Sequence, residues 1–311
     1  MHFAKVMAAS AIFVASCSGA ESSQADSNPA ATVTSQRAQG HPYEILGTRV
    51  FDLTDPARQI PYQIFVSLPP SYEQQPQRRY PTVYVTDADY GFPMLRLIGR
   101  RLNGARPQVE EFIIVGLSYE KGQDPMMSRR RDYTPTTKGS SDAPSSARHG
   151  ESLRYRNYIR DVVIPFVDGQ WRTQTDKRVY VGHSYGGLLG AQILLTEPEI
   201  FNAYILGSPS FWYDQKYLLR EAPGLLDQKR GINADVYLYV GEFEARRTGD
   251  MRYQQEVDMV VDNRAFADIL RSRGFRGLKL QADVLAGEDH MSVAPRGFTQ
   301  GLLHTLPAKE D

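Results

Sequence analysis

A serine between glycines is the feature of this sequence with the clearest chemical meaning. The motif G-H-S-Y-G-G occupies residues 182–187, so that Ser184 lies two residues from a glycine on either side. A β-rich run at residues 178–181 precedes the motif, and good helix formers follow it at residues 188–195. A strand, a sharp turn and a helix would hold the serine hydroxyl at the top of a sheet. We therefore predict that Ser184 is a nucleophile that forms a covalent intermediate.

A serine nucleophile needs a base, and two of the six histidines follow Ser184 in the chain. His304 lies in the closing helical pattern, whereas His290 lies in a polar loop just after the last predicted strand. Bases that serve a serine in this chain order lie in loops at strand ends. We therefore predict that His290 is the base.

A carboxylate that orients the imidazole is expected in the loop after the penultimate strand, residues 235–240. This loop contains Glu242 and Glu244, and either glutamate could instead pair with a neighbouring arginine. Glu244 is preferred because it lies further into the loop, and Asp250 is a more distant candidate. A serine–histidine dyad without a direct acid also remains open.

Two backbone N–H groups are expected to stabilise an oxyanion on the substrate. One belongs to Tyr185, the residue after the nucleophile, and the other lies in the loop after the strand at residues 81–86. We predict Ala88 for the second donor. The alternative is that the aspartates beside Ala88 only form a turn.

Composition limits the classes of function. The chain has 311 residues, with 36 Lys+Arg against 36 Asp+Glu, so it gives no electrostatic reason to expect nucleic-acid binding. Its single cysteine excludes an intrachain disulfide. Neither C-x-x-C nor H-E-x-x-H occurs, so we predict no metal site and no cofactor.

The N-terminal segment has the pattern of an export signal. An apolar run at residues 6–15 follows a lysine and is too short to span a bilayer. The run ends in V-A-S-C, which resembles the bacterial lipobox. We therefore predict a lipoprotein signal peptide at residues 1–17, with lipidation at Cys17; an ordinary signal peptide is the alternative. Ser18 at the next position resembles the pattern that directs lipoproteins to the outer membrane.

Three regions are predicted from these patterns. The signal peptide is followed by a flexible tether at residues 18–40, which is rich in Ser, Ala, Gln and Thr. One catalytic domain is predicted over residues 41–311. The expected location is the cell envelope, at the periplasmic side of the outer membrane through a lipid anchor, or otherwise the periplasm or the medium.

Strand and helix patterns alternate through the predicted domain, which favours an α/β fold with a mostly parallel central sheet flanked by helices. Helices are predicted at residues 151–167, 255–273 and 292–306. Residues 121–150 have no apolar period and are predicted to be an irregular insertion. Strands are predicted at residues 44–53, 61–68, 81–86, 112–117, 178–181, 203–206, 235–240 and 278–285.

The run at residues 182–214 is similar to the putative esterase family of α/β-hydrolases. It joins the G-H-S-x-G-G motif to S-P-S-F-W at residues 208–212, and a glycine-rich loop at residues 287–290 carries the histidine. The segment R-D-Y-T-P at residues 131–135 further resembles the siderophore-hydrolase branch, which includes enterochelin, salmochelin and bacillibactin esterases. The resemblance covers residues 43–306 and implies an α/β-hydrolase fold.

The same resemblance implies hydrolysis of a small-molecule carboxylic ester by Ser184 and His290, with siderophore trilactones among the candidate substrates. Arg131 is expected to bind an anionic group and Trp212 to line a pocket, unless the arginine cluster is only a solvated face and Trp212 is core. The alternatives are acyl transfer at the same site and a non-catalytic ligand-binding envelope lipoprotein.

Overall fold

Eight strands form one sheet in the computed structural model, which describes residues 43–139 and 143–308. The strands are β1 Thr48–Asp55, β2 Ile60–Ser67, β3 Tyr80–Thr86, β4 Ile113–Glu120, β5 Thr173–His183, β6 Ala203–Gly207, β7 Ala234–Gly241 and β8 Leu278–Leu285. Their order across the sheet is β1-β2-β4-β3-β5-β6-β7-β8. β2 pairs antiparallel with both neighbours, and every pair from β4 across to β8 is parallel. The predicted fold class, a mostly parallel sheet flanked by helices, is therefore confirmed.

Both faces of the sheet are buried, because neighbouring residues of each central strand enter different hydrophobic clusters. Tyr84 and Tyr180 belong to one cluster, whereas Val83, Val85 and Val181 belong to the other. Side chains alternate between the two faces of a strand, and β-branched and aromatic residues favour that geometry. β3 is buried at every position and consists mainly of β-branched and aromatic residues, as expected for a parallel strand that is covered on both sides.

The helices include three that the sequence patterns do not predict, one of them within the segment predicted to be irregular. Their bounds are α1 Ala88–Leu102, α2 Pro125–Tyr133, α3 Ser152–Tyr158, α4 Ile164–Gln170, α5 Tyr185–Thr196, α6 Tyr213–Asp227, α7 Met259–Arg271 and α8 Val293–Thr305, with a π-helical turn Ile159–Val163 between α3 and α4. The stretches predicted as helical correspond to α3 with α4, α7 and α8. The patterns miss α1 and α6, which contain Pro93 and Pro223, and proline disfavours a helix interior.

The expectation of an irregular insertion over residues 121–150 is wrong for α2. Asp124 caps this helix, because its carboxylate accepts a hydrogen bond from Met127 N at 3.0 Å, and Pro125 lies in the first turn. The buried residues of α2 are mostly polar or charged rather than an apolar stripe. A search for apolar period therefore cannot detect it.

The buried charges of α2 pair with the turn between β1 and β2. The Asp132 carboxylate accepts hydrogen bonds from Arg58 Nη1 at 2.9 Å and from Arg131 Nη2 at 2.8 Å. Tyr62 OH, on β2, donates to the same carboxylate at 2.8 Å. The three charged side chains are at most 7% exposed. This network holds α2 against the sheet, since each charge would be costly to bury without the others.

Replacing Asp132 by asparagine is expected to lower the free energy of unfolding by about 3 kcal/mol, because two buried guanidinium groups lose a shared counter-charge. Urea unfolding followed by circular dichroism measures the change. The matched control is Asp52→Asn, which removes the exposed partner of Lys121 and should leave the free energy of unfolding nearly unchanged. Equal effects of the two substitutions would contradict the role given to the network.

Residues 1–42, 140–142 and 309–311 lie outside the described residues. The signal peptide, the tether, lipidation at Cys17 and the domain bounds therefore stay predictions. Among the residues that are described, no helix has the length and apolar character needed to cross a membrane. In the same part of the chain, no three His, Cys, Asp or Glu side chains are grouped so that they could hold a metal ion.

Candidate active site

Ser184 lies at the turn between β5 and α5, in a strained backbone conformation. Its φ is 60° and its ψ is −120°, which places a non-glycine residue in a region that L-residues rarely adopt. Such strain persists where the surrounding structure holds it, and it is common at functional sites. The Ser184 N–H donates to the carbonyl oxygen of Gly207 at 2.9 Å, which ties the turn to the end of β6.

The glycines of the motif allow the tight contacts that this turn requires. A Cβ atom on Gly182 would clash with the carbonyl oxygen of Gly186, where the strand meets the new helix. A Cβ atom on Gly186 would clash with the Thr86 hydroxyl, at the end of β3. Both positions therefore need glycine for close approach. The turn that carries Ser184 thus lies directly against the end of β3.

The imidazole of His290 faces a buried carboxylate. His290 Nδ1 lies 2.6 Å from Glu244 Oε2, and the Glu244 side chain is 0% exposed. Glu244 belongs to a 3₁₀ turn, Glu242–Glu244, directly after β7, and His290 lies between β8 and α8. Because Nδ1 is engaged by the carboxylate, Nε2 is the nitrogen that remains to accept a proton.

The other two carboxylates considered from the sequence have different partners. Glu242 Oε2 accepts a hydrogen bond from Gly287 N at 2.9 Å, and its Oε1 accepts one from Tyr253 OH at 3.3 Å. Asp250 accepts a hydrogen bond from the backbone of its own turn. Glu242 thus braces the loop that carries the histidine, whereas Glu244 contacts the imidazole.

Ser184 and His290 line the same cleft, which has a volume of about 800 Å³. Within the described residues, the hydrogen-bond partner of Ser184 Oγ is Ser210 Oγ at 3.3 Å rather than the imidazole. Catalytic hydrogen bonds are often long in ligand-free structures and tighten when substrate binds. The structure therefore brings the predicted nucleophile and base to one cavity, and the Ser184 hydroxyl is hydrogen-bonded to Ser210 there.

The predicted oxyanion donors begin two neighbouring helices. Ala88 is the first residue of α1, and Tyr185 is the first residue of α5. The N–H groups in a first helical turn have no acceptor within the helix and carry the positive end of its dipole. The loops that hold them are in contact through Thr86 and Gly186. The arrangement suits an oxyanion hole, and the assignment of these two donors stays a prediction.

Arg129 reaches the cleft, and the sequence analysis did not single it out from its cluster. Arg129 Nε lies 2.7 Å from Asp87 Oδ1, and its Nη2 lies 3.2 Å from Oδ2. Tyr119 OH and Tyr90 OH donate to the same carboxylate at 2.8 and 3.1 Å. Burial acts to lower the pKa of Arg129, but the charge of Asp87, the hydrogen bonds to it and the nearby Tyr90 and Tyr133 together outweigh burial, so this pKa lies above its ordinary value. A permanent positive charge therefore lies beside the loop of Ala88.

The structure places Arg131, the arginine expected to bind the substrate, outside the cleft lining. Its guanidinium is 7% exposed, is occupied by two carboxylates, and does not line the cleft. Arg129 and Arg131 lie about 200° apart around α2, because about 3.6 residues make one helical turn. Trp212 also lies outside the cleft lining: it is half-buried and packs with its ring centroid 6.0 Å from that of Tyr185. The helical spacing of α2 would have distinguished the arginines had the helix been predicted.

His183 is a buried histidine next to the predicted base. Its Nε2 lies 2.9 Å from the carbonyl oxygen of His290, and the two ring centroids are 4.7 Å apart. Burial, together with the nearby His290 imidazole, lowers the pKa of His183 from 6.5 to about 3. His183 is therefore neutral in the folded protein at neutral pH.

Acid should destabilise the protein in part through His183. In the unfolded chain this imidazole binds a proton below pH 6.5, whereas in the fold it does so only near pH 3, so its contribution to stability is lost as the pH falls between these values. We expect His183→Gln to gain about 2 kcal/mol relative to the wild type between pH 7.5 and pH 4.5. Urea unfolding of both proteins at the two pH values measures this difference. Parallel pH dependences would show that His183 is not the group responsible.

The order of the sheet and a strained serine after its fifth strand define the class: the chain is an α/β-hydrolase. A family model described as "Putative esterase" matches residues 57–282, and the chain belongs to this family of enzymes that act on ester bonds.

Relatives of known activity and solved structure agree with this class. The chain is 28% identical to the ferri-bacillibactin esterase BesA of Bacillus subtilis over 288 residues, which cover 88% of this chain and 95% of that protein. It is 25% identical to the siderophore enterobactin esterase of Emericella nidulans over 269 residues, covering 78% and 88% of the two chains. An IroE-like serine hydrolase from Shewanella oneidensis has a TM-score of 0.72 at 26% identity, covering 83% of this chain and 79% of that chain.

Proposed function

We propose that this enzyme is a serine carboxylic-ester hydrolase with Ser184 as nucleophile, His290 as base and Glu244 as the acid that orients the base. The observation that carries the proposal is the 2.6 Å contact between His290 Nδ1 and a fully buried Glu244, beside the strained serine and in the same cleft. A buried carboxylate fixes the imidazole tautomer and stabilises the imidazolium that forms during the reaction.

The reaction proceeds in two halves. Ser184 Oγ attacks the ester carbonyl carbon while its proton passes to His290 Nε2, and the N–H groups of Tyr185 and Ala88 hold the oxyanion. The imidazolium then gives this proton to the departing alcohol, which leaves an acyl-enzyme. A water molecule attacks the acyl carbon, gives a proton to His290, and releases the acid while the serine regains its hydrogen.

The substrate we propose is an ester of an iron-chelating siderophore. Two of the relatives are named as siderophore esterases, one for ferri-bacillibactin and the other for enterobactin. The cleft volume of about 800 Å³ lies within the usual range for sites that bind small molecules. Its lining includes aromatic and thioether side chains such as Tyr90, Met94 and Met126, beside Arg129, whose guanidinium is paired with Asp87. Aromatic and thioether groups are suited to an aromatic ligand.

The test joins a covalent probe to a panel of esters. Wild-type protein is treated with a fluorophosphonate, and mass spectrometry identifies the modified residue, which we expect to be Ser184. The panel contains p-nitrophenyl acetate, p-nitrophenyl butyrate and a catecholate trilactone with and without iron, and product analysis separates hydrolysis from acyl transfer. Modification at another residue would overturn the site. Hydrolysis of the p-nitrophenyl esters without cleavage of either trilactone would overturn the siderophore substrate alone.

A further inference from the structure

The segment Ser208–Ser210, which follows β6, contacts two members of the proposed triad, Ser184 and Glu244. Ser210 N donates to the carbonyl oxygen of Ser184 at 3.2 Å, and Ser208 N donates to the carbonyl oxygen of Tyr239, on β7, at 2.7 Å. Both serine side chains are buried.

The Ser208 hydroxyl contacts the acid directly. Ser208 Oγ donates to Glu244 Oε1 at 2.5 Å, and Gly241 N donates to the same oxygen at 2.9 Å. The other oxygen, Oε2, faces His290 Nδ1. A buried carboxylate oxygen needs such hydrogen-bond donors, because an unpaired polar atom is costly to remove from water. Because Oε1 is fixed by two donors, rotation of the carboxylate group away from the imidazole is restrained.

The backbone of Ser208 is strained, and a smaller residue would relieve that strain. Its φ is 40°, a value that favours glycine over any residue with a Cβ atom. A serine at this position therefore costs stability that glycine would not. Strain of this kind persists where the rest of the structure holds it and is concentrated at functional sites. Compared with glycine, serine adds a hydroxyl, and that hydroxyl donates a hydrogen bond to Glu244.

We propose that Ser208 is a positioning residue for catalysis, whose hydroxyl holds Glu244 so that Oε2 orients the His290 imidazole toward Ser184. This inference rests on the function proposed above. A purely structural role for Ser208 would change the stability of the fold without acting through the acid, and the two possibilities predict different kinetics.

A double-mutant cycle separates the two roles. We expect Ser208→Ala to lower kcat for p-nitrophenyl butyrate and the rate of modification by a fluorophosphonate about tenfold or more, with KM changed less than about twofold, because a hydrogen bond to a charged group is lost. In a Glu244→Gln background the same substitution should cost less than about threefold, since the group through which it acts is already altered.

Two further variants distinguish a loss of activity from a loss of folded protein. Ser208→Gly suits the backbone at φ 40° and should be at least as stable as Ser208→Ala, yet it should lose activity to the same extent. Ser152→Ala removes another buried hydroxyl, bonded to Gln192 outside the cleft lining, and should change thermal stability without changing kcat.

The possible outcomes are distinct. Full tenfold losses in both backgrounds, or a Ser208→Ala protein as active as the wild type, would overturn the role of Ser208 while the esterase assignment stands. A wild-type protein that neither cleaves the ester nor reacts with the probe would overturn the proposed function and, with it, this inference.

Discussion

A Ser184→Ala protein is expected to lose hydrolysis of p-nitrophenyl butyrate by about 10⁵-fold in kcat, because no other group can form the acyl-enzyme. Residual activity would come from the oxyanion donors and substrate binding alone. The substitution keeps the same Cβ atom in the same strained turn, so the thermal stability should change little. Steady-state kinetics and thermal unfolding of the purified protein measure the two effects. A variant that retains more than about a hundredth of the wild-type rate would contradict the assignment.

Ser210 provides the control for this experiment, because its hydroxyl lies 3.3 Å from that of Ser184 and is the other serine close to the reacting atoms. Ser210→Ala should still be modified by a fluorophosphonate at residue 184. Its kcat should exceed that of Ser184→Ala by at least about a hundredfold, since it keeps the nucleophile. If the two variants were equally inactive and only Ser210 carried the label in wild-type protein, the nucleophile would be Ser210.

Glu244→Gln should lower kcat by about 10³- to 10⁴-fold while the structure is kept. A glutamine amide cannot carry the negative charge that stabilises an imidazolium. Where its N–H faces Nδ1, it also forces the proton of the neutral ring onto Nε2, which then cannot accept the proton of Ser184. Comparison of kcat and of the rate of fluorophosphonate modification with wild type measures the loss.

Glu242→Gln is the matched control, two residues away in the same turn. Its carboxylate accepts hydrogen bonds from Gly287 N and Tyr253 OH rather than from the imidazole, so we expect less than about a tenfold change in kcat. A small effect at both positions would favour a serine–histidine dyad. A larger loss from Glu242→Gln than from Glu244→Gln would exchange the roles of the two glutamates.

The turn that carries Ser184 could be predicted from sequence because its determinants are contiguous. The strand before Ser184, the glycines on both sides and the helix after it lie within about one strand and one helix of chain, and the structure has them as β5 and α5. The clashes that a Cβ atom would make at Gly182 and Gly186 explain why this pattern is so restrictive. His290 could be chosen for a similar reason, since chain order and a loop after the last strand are local observations.

The substrate side of the cleft could not be predicted in the same way. The choice of Arg131 rather than Arg129 depended on recognising α2, and that helix buries charges instead of an apolar stripe. An ion pair with Arg58, in the β1–β2 turn, and a hydrogen bond from Tyr62, on β2, hold it, and these partners of Asp132 are 74 and 70 positions away in the chain. No local pattern contains that information.

The sequence by itself determined the class of fold, the strained serine turn and the histidine that follows it, because hydrophobic period and glycine sterics act over a few neighbouring residues. Only the tertiary structure decided which glutamate contacts the imidazole, which arginine enters the cleft, and that Ser208 contacts Glu244. The contacts of Glu244 join segments that follow different strands. Their geometry follows from the pairing of β5, β6, β7 and β8 in one sheet, which brings distant segments within hydrogen-bond distance.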